Sequence, residues 1–447
     1  MRRFSVMLAS LGLMASAVSA APRKLVSRAP GGQVAVYWGQ NGGGTVENND
    51  LSTYCTSSSG IDIIILAFLY EYGNGVNVPS GTIGQSCYID TNGNPSNCDA
   101  LASAISTCQA NGVKVILSLG GASGAYSLQS QSQAQTIGQN LWEAYGNTAG
   151  GSVPRPFGTS FVNGFDFDIE SNSGNEYYQY MISTLRSNFA SDSSHTYYIT
   201  GAPQCPIPEP NMGEIVTAAQ FDYLWVQFYN NPYCSNPNTL NYNDWVTYLS
   251  GTPSQNAKIF LGVPASPEAS TGTDSGSSYY FSPSALATTV SEFDSSSHWG
   301  GIMMWSAGFS DANVNSGCTY AQEAHSILAS GSPCGGGSTT PPSSTTTTTT
   351  SAPTGTGSPV AEWGQVSCLF FSPPFAHLFL FSLPYTLFQI SKCALSFLSH
   401  FLSSPSISNI FTVWRYRIYR FDRVRLAIHM CVPKSMVVVM PVNKKLK

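Results

Sequence analysis

The stretch VNGFDFDIE, residues 162 to 170, alternates acidic side chains with aromatic or aliphatic ones. Alternate side chains of a β-strand share one face, so the pattern predicts that Asp166, Asp168 and Glu170 line up about 6.6 Å apart along one side. The side chains between them require burial on the other side. A solvated polar face is the less favoured interpretation, because a strand of a covered parallel sheet has no free face and crowded acids repel one another.

Seven further runs of β-branched and aromatic residues accompany this strand. The eight runs are residues 33–40, 61–70, 113–121, 162–170, 197–203, 223–230, 258–266 and 300–308. Helical patterns lie between them, among them residues 99–111, 176–189 and 282–293, the last opened by a Ser-Pro pair. Eight strand and helix units in about 300 residues predict the α/β class and a (β/α)8 barrel. An open doubly wound sheet is the alternative, but the glycine-rich phosphate turn usual in that fold is missing from the sequence.

The N-terminus of the 447-residue chain has a different character. Residues 1–20 combine two arginines, an apolar stretch and small residues, which predicts a secretory signal peptide. A buried first helix is the alternative, and the apolar part is too short to span a membrane. We therefore expect an extracellular protein, with association with a cell wall left open.

The composition narrows the range of ligands. Charged residues make up 10% of the chain and aromatic residues 12%, which suits a neutral, hydroxyl-rich ligand and argues against nucleic acid. No cysteine and histidine cluster has the spacing of zinc ligands, so we expect no metal and no cofactor. Eight of the eleven cysteines lie between positions 55 and 334, an even number that fits full pairing in a secreted protein. Spacing alone leaves their connectivity open.

Four motifs carry a resemblance to a known family. Residues 163–170 resemble the D-G-x-D-x-D-x-E signature of glycoside hydrolase family 18 chitinases, with Asn163 in place of the first aspartate. SLGG at 118–121 resembles the S-x-G-G element of that family, whereas YWGQN at 37–41 and WVQFYNN at 225–231 resemble its plant and fungal class III branch. The resemblance covers residues 33–334, and we expect the catalytic domain to span residues 30–334.

The resemblance implies a secreted chitinase that hydrolyses β-1,4-linked N-acetylglucosamine polymers with retention of configuration, using the acetamido group of the substrate as nucleophile. Carried over by position, Glu170 is the general acid and base, Asp168 orients the acetamido group, Asp166 supports Asp168, and Tyr229 binds the acetamido group. Crowding raises the pKa of such acids, so one of them can stay protonated near neutral pH. The implied substrate-binding residues are Tyr37, Gln40, Asn41, Gly121, Gln227, Asn230, Met303 and Trp305.

The resemblance also bears on the cysteines and on the shape of the cleft. It implies the disulfides Cys55–Cys108, Cys87–Cys98 and Cys205–Cys234, and sequence proximity adds Cys318–Cys334. Only residues 267–299 separate the seventh run from the eighth, which leaves no room for the inserted domain of many family members. We therefore expect an open groove, attack within the polymer, chitin and chito-oligosaccharides as partners, no membrane partner, and a monomer.

Two other functions stay open at this point. A lectin or enzyme inhibitor can use the same barrel, although such proteins usually lose the acid or the central aspartate. An endo-β-N-acetylglucosaminidase acting on N-glycan cores shares the catalytic signature and differs only in the loops of its groove.

The C-terminal part of the chain is interpreted separately. Residues 335–359 consist mainly of Ser, Thr and Pro, which predicts an extended linker. Residues 360–365 (VAEWGQ) resemble the start of a fungal-type cellulose-binding module, but the sequence does not continue it. Residues 366–447 have no helical or strand periodicity, and prolines interrupt their apolar windows. We interpret them as translated intron followed by an out-of-frame segment.

Overall fold

The computed structural model describes residues 30–40, 47–235 and 240–335, together with the strands Val366–Cys368 and Phe381–Leu383. The predicted signal peptide, nearly all of the predicted linker, the module remnant at 360–365 and Asn41 lie outside the described residues. The chain divides into two units, Met1–Pro342 and Ser343–Lys447. The first unit contains the predicted barrel. Of the second, the structure describes only the two short strands, which pair antiparallel.

Eight parallel strands form the centre of the first unit. They are Gln33–Trp38, Ile63–Gly73, Lys114–Gly120, Gly164–Asp168, Tyr198–Gly201, Tyr223–Gln227, Lys258–Pro264 and Trp299–Trp305. Each pairs with the next in chain order, and the first also pairs with the eighth, which closes the sheet. The α/β class and the (β/α)8 barrel are therefore confirmed, and the open sheet is ruled out.

Helices and short 3-10 turns connect the strands. The α-helices are Asp99–Ala110, Gln131–Tyr145, Tyr178–Ser191, Gly213–Ala218, Tyr242–Leu249, Pro283–Phe293, Ala307–Ala312 and Tyr320–Ser330. The 3-10 turns are Leu51–Cys55, Asn175–Tyr177 and Asp274–Tyr279. The predicted Ser-Pro start is present, because the Ser282 hydroxyl accepts a hydrogen bond from the Ala285 N–H at 3.4 Å.

An antiparallel excursion follows the second barrel strand, and the sequence analysis did not predict it. The second strand runs on to Gly73, and the chain then folds back through Val76–Ile83, Cys87–Ile89 and Pro95–Ser96. A further short strand, Ala125–Tyr126, pairs with Glu71 and Tyr72 of the extended second strand. The loop after the third strand is thereby attached to the second.

The barrel has two buried layers. One lies between the strands and the helices and contains alternate strand residues such as Val34, Val36 and Phe165. The other fills the barrel interior and contains the residues between them, among them Ala35 and Tyr37. Because both faces of each strand are buried, the strands appear in the sequence as nearly continuous apolar runs.

Asn163, which replaces the first aspartate of the family signature, ties two strands together below the acids. Its Oδ1 accepts hydrogen bonds from the Val115 N–H at 2.9 Å and from Gln109 Nε2 at 3.0 Å. Asp62 accepts in the same way from the Val34 N–H at 2.8 Å. An amide oxygen accepts these bonds as a carboxylate does, so the replacement preserves the connection between strands.

All eight cysteines between positions 55 and 334 are paired in the structure. The disulfides are Cys55–Cys108, Cys87–Cys98, Cys205–Cys234 and Cys318–Cys334. The last one joins the residues on either side of the final helix. Cys87–Cys98 closes the antiparallel excursion after the second strand, and Cys205–Cys234 joins the loop after the fifth strand to the loop after the sixth.

Among the residues that the structure describes, no helix combines the length and the apolar character needed to cross a membrane.

Candidate active site

The three acids lie at the carboxyl ends of the barrel strands, but only two belong to a strand. The fourth strand ends at Asp168, and Glu170 lies beyond it with a partly exposed side chain. The predicted strand was therefore too long at this end. Asp166 is fully buried and Asp168 is 5% exposed, so the acids rise from the barrel interior toward its rim.

Asp166 occupies the most enclosed position of the three. Its Oδ2 accepts hydrogen bonds from the Tyr37 and Ser118 hydroxyls, both at 2.7 Å. Its Oδ1 accepts from the Thr200 hydroxyl at 2.6 Å and from Trp225 Nε1 at 2.7 Å. Burial raises the pKa of Asp166 and these four donors oppose the rise. An ionised carboxylate offers about four acceptor sites, and all four are used here. The hydrogen bonds therefore hold Asp166 in one orientation beneath Asp168.

Asp168 and Glu170 share one partner, Gln227 from the sixth strand. The Gln227 side-chain amide donates to Asp168 Oδ1 at 3.1 Å and to the Ala202 carbonyl at 3.0 Å. Burial raises the pKa of Asp168 well above its usual range, and the charges of Glu170 and Asp166 add to that rise. Burial also raises the pKa of Glu170, and hydrogen bonding by Gln227 opposes it. The pair can therefore hold a proton at a pH where isolated carboxyl groups have lost theirs.

A fourth acid, Glu209, joins this group and was missed by the sequence analysis. It is 6% exposed in the loop between the fifth strand and the helix Gly213–Ala218. Its carboxylate accepts from the N–H groups of Gln204 at 3.1 Å, Asn211 at 2.8 Å and Met212. Its charge contributes to the raised pKa of both Asp168 and Glu170. A single glutamate in a proline-rich loop has no periodicity, so no pattern in the sequence indicated its burial.

Aromatic rings form a surface beside the acids. Trp305, partly exposed at the end of the eighth strand, lies 5.6 Å from the Tyr37 ring and 6.1 Å from the Phe68 ring, measured between centroids. Phe68 was not predicted. Gly121 has a φ of +93°, and a Cβ atom there would lie 3.1 Å from the Phe68 ring. A glycine is therefore needed both for its backbone conformation and for the close approach of the ring.

The remaining predicted residues are less uniform. Tyr229 is 7% exposed. Burial raises the pKa of its hydroxyl, and the nearby charges of Asp168 and Glu170 add to that rise. Gln40 and Asn230 are exposed and donate to main-chain carbonyls, of Ala67 at 3.2 Å and of Ser270 at 2.8 Å. Met303 is fully buried in the barrel interior and brings no exposed surface to the cleft.

A protonatable acid at a barrel rim, with a second carboxyl group behind it and an aromatic surface beside it, is the kind of site that glycoside hydrolases use. The profile of glycosyl hydrolases family 18 matches residues 33–311. The chain belongs to this family, which confirms the family assignment made from the motifs.

Fungal and plant proteins are similar to this chain. Endochitinase 2 of Metarhizium robertsii is 64% identical over 326 residues, which cover 71% of this chain and 77% of that protein. The endochitinase of Saccharomyces cerevisiae is 40% identical over 317 residues, and the match covers 70% of this chain and 53% of the yeast protein.

Two solved plant structures share the barrel. The ICChI chitinase of Ipomoea carnea has a TM-score of 0.54 and 32% identity, and covers 66% of this chain and 99% of its own. The xylanase and α-amylase inhibitor protein XAIP-II of Scadoxus multiflorus has a TM-score of 0.52 and 33% identity, and covers 66% of this chain and 98% of its own. Since an inhibitor and a chitinase share the fold, the function depends on the residues of the site.

Proposed function

We propose that this protein is a secreted endochitinase that hydrolyses β-1,4-linked N-acetylglucosamine polymers with retention of configuration. The observation that carries the proposal is the shared contact of Asp168 and Glu170 with Gln227, above a fully hydrogen-bonded Asp166. The names of the fungal relatives support it. In this proposal the catalytic domain spans residues 30–334, and the natural substrates are chitin and chito-oligosaccharides.

The reaction needs two proton transfers and no nucleophile from the protein. Glu170 donates its proton to the glycosidic oxygen, and the bond from that oxygen to the anomeric carbon breaks. The carbonyl oxygen of the substrate's 2-acetamido group attacks that carbon and forms an oxazolinium ion. Asp168 accepts a hydrogen bond from the acetamido N–H, and its carboxylate balances the positive charge of the oxazolinium ion. Glu170 then removes a proton from water, and the water oxygen attacks the same carbon. The bond from that carbon to the oxazolinium oxygen breaks, the acetamido carbonyl forms again, and the second inversion restores the original configuration.

The shape of the cleft supports attack within the polymer. The seventh strand ends at Pro264 and the eighth begins at Trp299, and this fully described stretch contains one 3-10 turn and one helix. No separate domain stands on this side of the cleft within that stretch. A long chain can therefore lie across the rim without being threaded from its end.

Hydrolysis of an N-acetylglucosamine hexamer tests the proposal. We expect shorter oligomers from internal cleavage, with the β-anomer formed first, as followed by chromatography and proton NMR. An N-glycan core glycopeptide is the comparison substrate. Binding of the hexamer without hydrolysis would favour a lectin, and cleavage of the glycopeptide alone would favour an endo-β-N-acetylglucosaminidase.

The Gln227→Leu variant tests the electrostatic role of the amide. Its hydrogen bonds lower the pKa of Asp168 and of Glu170, so their removal should raise both values. The alkaline limb of the kcat/KM profile follows ionisation of the acid in the free enzyme, and it should therefore move to higher pH. The exposed Gln220→Leu is the matched control and should leave the profile unchanged. A limb that stays in place or moves to lower pH in Gln227→Leu would contradict this role.

A further inference from the structure

The backbone of Glu170 is not held by the barrel sheet. Pairing of the fourth strand ends at Asp168 on the side of the third strand and at Phe167 on the side of the fifth. The side chain of Glu170 is partly exposed at the rim of the barrel, so its main chain needs another anchor if the acid is to stay aligned with a substrate.

That anchor is the hydroxyl of Tyr126, which comes from the loop after the third strand. The Glu170 N–H donates to Tyr126 Oη at 3.0 Å, and Tyr126 Oη donates to the Gly121 carbonyl at 2.8 Å. The Gly121 N–H in turn donates to the Asp168 carbonyl at 2.7 Å. These three hydrogen bonds close a loop around Ile169. They fix the main chain at Asp168, the last residue of the strand, and at Glu170.

The Tyr126 ring is itself held in place. It is 8% exposed and stacks on the Tyr72 ring, with centroids 5.5 Å apart and planes at 17°. The short strand Ala125–Tyr126 pairs with the extended second strand, and the Tyr72 and Tyr178 hydroxyls lie 2.9 Å apart. The Tyr126 hydroxyl is therefore positioned before any substrate binds.

We propose that Tyr126 is a positioning residue that holds the Glu170 main chain so that the carboxyl group reaches the glycosidic oxygen. The inference rests on the proposed function of Glu170 and adds a residue to it. Tyr126 acts through hydrogen bonds to the main chain and makes no contact with the reacting atoms in this role. Burial raises the pKa of the Tyr126 hydroxyl, so it keeps its proton and its bond to Gly121.

The test compares Tyr126→Phe with Tyr72→Phe in the full chain. Each variant removes one hydroxyl and keeps the stacked ring, but only Tyr126 bonds to Glu170. For Tyr126→Phe we expect kcat on the N-acetylglucosamine hexamer to fall by about 10- to 100-fold, with KM within about twofold, because small misplacement of a catalytic group is costly. Tyr72→Phe should keep the parent kcat even if its unfolding midpoint falls as far as that of Tyr126→Phe.

The pH profile supplies a second measurement. A Glu170 that is held less firmly becomes more exposed to water, and its raised pKa falls toward the ordinary value. The alkaline limb of kcat/KM should therefore move to lower pH in Tyr126→Phe and stay in place in Tyr72→Phe. Both variants are assayed well below their unfolding midpoints.

The outcomes separate this inference from the proposed function. If the parent protein cleaves the hexamer and Tyr126→Phe matches Tyr72→Phe in kcat and in pH profile, Tyr126 has only a structural role and the inference is wrong. If the parent protein fails to cleave the hexamer, the proposed function is wrong, and the inference falls with it.

Discussion

Replacement of Glu170 by glutamine should lower the turnover of N-acetylglucosamine oligomers by about 10²- to 10⁴-fold, while the oligomers still bind. Glutamine keeps the size of the side chain and its ability to form hydrogen bonds, but it has no proton to give to the glycosidic oxygen. Glu170 is suited to that transfer because burial raises its pKa and its side chain still reaches the rim of the barrel. Turnover would be measured with the hexamer, and binding by calorimetry.

The matched control for this substitution is Glu176→Gln. Glu176 is exposed in the 3-10 turn Asn175–Tyr177, on the same connection between strand and helix, and the change in charge is identical. It should keep the parent turnover. Activity of Glu170→Gln within a few-fold of the parent would refute the assignment of Glu170 as the general acid.

The barrel could be predicted from the sequence because its strands are buried on both faces. Residues 33–38 and 258–264, for example, are almost entirely buried, so hydrophobicity alone indicates these segments. The antiparallel strand Val76–Ile83 was missed because it contains a proline, a glycine and three polar side chains, which do not give the alternation expected of a strand.

The candidate site was predictable only in part. The acids of the fourth strand follow the period of two of a β-strand, and that period gave the right face for Asp166 and Asp168. The period could not show that the strand ends before Glu170, because the end is set by Gly121 and Tyr126 from another loop. Glu209 reaches the site through main-chain hydrogen bonds within its loop, and such bonds leave no pattern in the sequence.

The position of Asp168 also bears on the source of the nucleophile. A carboxylate that attacks the anomeric carbon has to be open to the sugar. Asp168 is 5% exposed, and one of its oxygens already accepts a hydrogen bond from Gln227. Asp166 is fully buried and holds four hydrogen bonds. Neither acid is suited to covalent attack, so the substrate has to supply the attacking oxygen.

Oligomers that lack the 2-acetamido group should therefore be cleaved at least about 10³-fold more slowly than the N-acetylglucosamine hexamer, because the advantage of an attached nucleophile is lost. Cellulose hexamer and fully deacetylated chitosan hexamer are the test substrates, and binding of each is measured separately so that poor affinity is not mistaken for slow chemistry. An N-trifluoroacetyl hexamer is the matched control: it keeps the amide, but its carbonyl oxygen is a weaker nucleophile, and its rate should lie between the two extremes. Rapid hydrolysis of bound cellulose hexamer would mean that a carboxylate of the protein attacks the anomeric carbon instead.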